Sequence, residues 1–151
     1  MERKLGPEFE SCLKSGKIRR FSPGPTFVAG EIAAAVQDLD EARRTLAAGG
    51  LKWATIQAYY SMFHTARALL YARGYRKRSH RCLVIGLREL YVAPRLLELE
   101  FVEGLEAGKT LRENADYYSR FSEAGAQQAV ELADAFLSRA RSLTSSSPGQ
   151  E

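Results

Sequence analysis

The stretch YYSMFHTARALL, Tyr59 to Leu70, sets a histidine and an arginine three residues apart among aromatics and small apolar residues. Histidine carries or releases a proton near neutral pH. Arginine is always charged, so it must meet a carboxylate, backbone carbonyls or an anionic ligand wherever it lies among apolar groups. On a helix turning about 100° per residue, Ile56, Tyr59, Tyr60, Phe63, Ala66 and Leu70 share one face. Arg67 falls inside that face and His64 at its rim. The opposite side, Ala58, Met62, Thr65, Ala68 and Leu69, also lacks charge. A helix apolar nearly all round is a central helix. Its tyrosines, Phe63 and leucines read as packing, which leaves His64 and Arg67 as candidates for binding. A second charged segment, LRENADYYSR, carries Arg112, Glu113 and Asp116, with Arg112 and Asp116 spaced to share a helix face. The expectation is that Asp116 or Glu113 neutralises Arg67, and that Arg67, Arg112 and Asp116 form one charged cluster at a groove.

Two basic segments add to this. RGYRKRSHR, Arg73 to Arg81, holds five cations and a histidine in nine residues. Its Arg76, Lys77, Arg78 and His80 form a candidate loop for a polyanion, against the plainer reading of a solvated surface loop. Lys14, Lys17, Arg19 and Arg20 make a looser cluster. The net charge of +4 permits a polyanionic partner without requiring one. Cys12 and Cys82 are the only cysteines and His64 and His80 the only histidines, too few for a typical zinc site. No cofactor is expected. No apolar run has the length of a membrane span, and the N-terminus lacks the apolar stretch of a signal peptide. The expected compartment is the cytoplasm, where a disulfide is not expected.

The elements that must position these residues are helices. The 151 residues fit one domain. Residues 1–25, broken by Gly and Pro, read as an N-terminal extension with a short helix near Pro7 to Leu13. The domain proper spans 26–143. Thr26 can cap a first helix with Val28, Ile32, Ala35, Leu39, Ala42 and Leu46 at helical spacing, ended by Gly49-Gly50. The second runs from Leu51 to Arg73. Ser79 can cap a third, Pro94 can sit in the first turn of a fourth reaching Tyr118, and Ser122 can start the last. Gly104 and Gly108 are candidate bends in the fourth. Residues 144–151 read as a disordered tail. Nothing reads as a strand. The expected fold is all-α, an antiparallel up-and-down bundle of about five helices.

AYYSMFHTARALL, then a glycine, a basic loop with SH, then RENADY, then a helix containing AVELADAF, together resemble the HEPN family (higher eukaryotes and prokaryotes nucleotide-binding) over roughly residues 28–142. The resemblance implies a helical bundle, usually dimeric, often the partner of a minimal nucleotidyltransferase (MNT) in a toxin–antitoxin pair. Several members are metal-independent RNases whose signature is an arginine and a histidine with four to six residues between them. Arg112 stands at the arginine, but Tyr117 and Tyr118 stand where histidine is expected, and a phenol is a poor proton shuttle near neutral pH. Arg73 and His80 match the spacing in the wrong structural place. Some members are modified with AMP on a nearby tyrosine, which makes Tyr117 and Tyr118 candidates for modification. The reading is a binding module rather than an enzyme, taking RNA, a nucleotide or a nucleotidyltransferase through His64, Arg67, Arg112 and Asp116. The alternatives are a divergent RNase, with His64 or His80 replacing the missing histidine, and a homodimeric adaptor with no small ligand.

Overall fold

The structure is a computed structural model and describes residues 4–145. Six helices carry it: α1 (Pro7–Lys14), α2 (Val28–Ala47), α3 (Leu51–Ala72), α4 (His80–Leu87), α5 (Leu99–Tyr117) and α6 (Glu123–Ser145). Helix α3 is the centre, packed by α2, α5 and α6. Twelve of its residues are buried, from Ala54 to Leu70, as its all-round apolar pattern demands. Helices approach closely where side chains are small. Ala35 and Ala42 of α2 are fully buried, and Ser61 donates to the Ala35 carbonyl at 2.8 Å across the α2–α3 seam. Gly108 sits where α5 meets α3. A Cβ there would fall 2.2 Å from Met62 Cε, so glycine lets α5 lie against α3.

Ser79 caps α4 as expected, accepting from the Cys82 amide at 3.1 Å. Ser122 likewise accepts from the Gly125 amide at the start of α6. Two other helix starts differ from expectation. Thr26 lies in a single 3-10 turn (Gly24–Phe27) and donates its hydroxyl to the Pro23 carbonyl instead of capping α2. Helix α4 runs into a π turn (Arg88–Val92), Pro94 falls in the bend that follows, and α5 begins only at Leu99. Of the tail expected from residue 144, Thr144 and Ser145 finish α6, and 146–151 lie outside the described residues.

Two further expectations are overturned. A short antiparallel pair, β1 (Ile18–Arg20) and β2 (Tyr75–Lys77), joins the two basic segments, with Ile18 opposite Lys77, Arg19 opposite Arg76 and Arg20 opposite Tyr75. Three residues are too few for a strand's alternation to stand out in sequence. Cys12 and Cys82 form a disulfide rather than remaining thiols. Packing of α1 on α4 brings the two cysteines together, and Phe9, Cys12 and Ile18 are buried in the same core as α3. No helix among the described residues is long and apolar enough to cross a membrane.

Candidate functional site

Arg67 projects from the third turn of α3 after Ile56 and finds its counter-charge on α2. Its Nε lies 3.6 Å from Glu31 Oε1, and its Nη2 donates to the Tyr71 hydroxyl at 2.7 Å. The guanidinium also lies over the rings of Phe63 and Tyr71. The same Glu31 oxygen meets His64 Nδ1 at 2.9 Å, while His64 Nε2 lies 3.5 Å from Asp38. The expected partners, Asp116 and Glu113, are engaged elsewhere: Glu113 accepts from Lys109 at 2.6 Å. Glu31 and Asp38 were legible only indirectly. They stand at helical spacing on the face of Ala35 and Ala42, where an acid needs a partner. Burial raises the Asp38 pKa, against the lowering influence of His64.

Arg112 sits about two helical turns away along α3, against Tyr60 rather than Arg67. Its Nη2 donates to the Tyr60 hydroxyl at 2.9 Å, and Asp116 Oδ2 lies at 3.9 Å. The rings of Tyr59, Tyr60 and Tyr117 surround the guanidinium at 5.7, 5.4 and 5.3 Å. Its Nε is buried with no acceptor. Burial works against this charge, but Tyr60, Tyr117 and Asp116 outweigh it, and the guanidinium holds its proton more tightly than usual. Tyr117 and Tyr118 are 62% and 64% exposed, the latter beside Arg120. The expected single cluster of Arg67, Arg112 and Asp116 is therefore two clusters. The rings of Tyr59, Tyr60 and Phe63 run between them. The division follows from α2, whose acids draw Arg67 to one side.

His80 belongs to the Arg112 side. Its Nδ1 lies 3.4 Å from the hydroxyl of Tyr59, whose ring faces Arg112. Its Nε2 is buried without a partner. Burial lowers the His80 pKa, helped by Lys109 and Lys77 and opposed by Glu106 and Glu113. Burial also pushes the Tyr59 phenol up to about 12, against the pull of Arg112. Tyr59 is thus a neutral hydrogen-bonding group between His80 and Arg112.

The basic loop divides by role. Arg73 donates to the Leu90 carbonyl at 2.8 Å, and Arg81 pairs with Glu8 at 3.5 Å. Both are structural contacts. Arg76 lies over the Phe21 ring and Lys77 over the Phe63 ring, with no carboxylate in ion-pair range of either among the described residues. Arg78 is exposed. Lys77 shares the inward face of the ribbon with buried Ile18, so its pKa is lowered by burial and then by Arg67. Arg19 directly opposite Arg76 sets like charges side by side, an arrangement that costs stability in a sheet.

The arrangement is a cationic and aromatic face over α3, α5 and the ribbon, suited to holding phosphates and stacking bases. The family model of the HEPN domain matches residues 32–143. A comparison with curated proteins returned no match.

Proposed function

This chain belongs to the HEPN family, a family with nucleotide- and RNA-related functions, and on that premise we propose that it binds single-stranded RNA as a non-catalytic module. The observation that carries this reading is Arg112: a guanidinium ringed by three tyrosines, one of them largely exposed, with a buried Nε that has no acceptor. Bases stack on such rings without regard to sequence, while cations hold the backbone. Arg67, His64 and Asp116 border the path, and Arg76, Lys77 and Arg78 extend it. HEPN domains commonly dimerise. A homodimer would carry two such faces, and an MNT-type nucleotidyltransferase of a toxin–antitoxin pair is the protein partner this reading favours. The test is fluorescence anisotropy with a short single-stranded RNA across a salt series. Affinity should fall steeply with salt as counterions are released. Affinity that is flat across the series would rule the reading out.

A second reading, a divergent RNase, draws on one contact: His80 reaches the same Tyr59 that Arg112 faces. An imidazole with a lowered pKa is available as a base, and arginine can steady charge on a phosphorane. RNA cleavage without metal that is abolished by His80→Gln would favour it. Cleavage unaffected by that change would exclude His80. Tyr117 and Tyr118, both largely exposed, are the candidates for AMP transfer by a partner nucleotidyltransferase. Mass spectrometry after co-expression would detect the adduct, and an unmodified mass would dismiss the idea.

A further inference from the structure

A cavity of about 230 Å³ lies between the end of α3 and β2, walled by Arg67, Leu70, Tyr71, Arg76 and Lys77. Its charge is one-sided. Three cations line it, and among the described residues the one carboxylate in ion-pair range of them, Glu31, reaches Arg67 while also serving His64. The ribbon register turns Lys77 to the side of Ile18, and its ammonium lies 4.6 Å over the Phe63 ring. At about 300–1,000 Å³, sites for whole small molecules are larger than this cavity. It has room for a phosphate group and not for a nucleoside.

The rim supplies what a nucleoside would need. Phe21, Phe27 and Tyr71 form a triangle of rings with centroids 5.5 to 5.7 Å apart. Tyr71 walls the cavity and Arg76 lies 5.2 Å over Phe21, so the triangle and the cavity share an edge. Phe27 is 49% exposed. A Cβ at Gly24 would fall 2.5 Å from the Tyr71 carbonyl oxygen, so glycine lets the turn bearing Phe27 sit directly on the end of α3.

We infer that this cavity takes the terminal phosphate of a nucleotide or oligonucleotide, with the adjoining base against Phe21 and Phe27. The inference rests on the RNA-binding reading above and adds an end preference to it. A phosphomonoester carries a charge of about −1.5 to −2 at pH 7, against −1 for an internal diester, so three cations favour the end of a chain over its middle. The guanidinium of Arg67 and that of Arg76 each present planar donor sets suited to phosphate oxygens.

The experiment measures binding of one short RNA in three forms, 5′-phosphorylated, 3′-phosphorylated and hydroxyl-ended, together with calorimetric titration of AMP, adenosine and inorganic phosphate. Wild-type protein should prefer one phosphorylated form over the hydroxyl form by at least about tenfold, and the preferred form identifies the end. AMP should bind and adenosine should not. The pair Arg76→Gln and Lys77→Gln, checked for an unchanged thermal melt, should erase the preference, weakening the preferred phosphorylated form at least about tenfold more than the hydroxyl form. Phe27→Ala should weaken AMP while sparing inorganic phosphate. Equal affinity for all three RNAs, with no AMP binding, would overturn the inference and leave the RNA-binding reading intact. AMP binding that depends on Arg76 and Lys77, in a protein that binds none of the RNAs, would uphold the cavity and overturn the RNA-binding reading.

Discussion

Arg67 lies 3.6 Å from the Glu31 carboxylate and gives a hydrogen bond to Tyr71, whereas Arg112 has Asp116 only at 3.9 Å and rests among three phenol rings. Both guanidinium groups pack on aromatics of α3, yet their charges are balanced differently. A carboxylate cancels charge locally and ties the side chain into the fold. Ring faces and phenol hydroxyls support a cation without cancelling it, so the charge remains available to a ligand. Arg67 is thus partly a structural residue with one face toward a cavity, and Arg112, though the less exposed of the two, is the group whose charge is left less cancelled.

The largest effect expected concerns the disulfide, which anchors the ribbon on the Arg67 side. Cys12→Ser with Cys82→Ser opens a link between residues 70 apart in sequence and should cost about 4 kcal/mol in urea unfolding. Hydrogen exchange should then show amides of β1 and β2 losing protection before those of α5 around Arg112. Equal loss in both places would mean that the two regions are one unit.

Glu31→Gln should follow, at about 1–2 kcal/mol, because it strips His64 and Arg67 of a shared partner that is itself only 17% exposed. Asp116→Asn should cost less than about 0.5 kcal/mol, since its ion pair is long and half-open. Similar losses for the two would break the contrast. Arg112→Ala should reduce RNA affinity about tenfold, a change of about 1.4 kcal/mol, with little change in the melt. Arg112→Lys should recover little, because an ammonium lacks the planar face that stacks on rings. Recovery to wild-type affinity would reduce Arg112 to a point charge.

The smallest effect is a pH dependence set by His80. Its folded pKa lies below the ordinary 6.5, so the unfolded chain binds more protons as pH falls through 6.5. Stability is therefore greatest above 6.5 and declines as pH falls from there through the folded pKa. Thermal melts should show this decline, and His80→Gln should flatten it. A decline that persists unchanged in the variant would assign it to other groups.

Much of the fold was legible because periodicity reports burial directly. Val28 to Leu46, Leu51 to Leu70 and Ala126 to Ala140 carry their apolar residues at helical spacing, and those stretches are α2, α3 and α6. Less of the site was legible. The sequence marks Arg67 as a charge in need of a partner, but spacing within α3 and α5 points to Asp116, and only the packing of α2 supplies Glu31. The strand pair was invisible because its two halves lie 57 residues apart in sequence (Ile18 to Tyr75) and are three residues long. The disulfide escapes the sequence for a similar reason, since a compartment argument says nothing about which thiols meet.

The sequence by itself determined that this is a helical bundle with a central α3, that it resembles the HEPN family, and that His64, Arg67 and Arg112 are charges packing alone does not explain. Helical spacing encodes which face is buried, and a buried guanidinium demands an acceptor whatever surrounds it. Only the tertiary structure decided which acceptor Arg67 has, that Arg112 stands apart from it among tyrosines, and that Arg19 and Arg76 lie side by side on one ribbon. Those are contacts between distant segments. They depend on how helices dock, which no local pattern of residue types records.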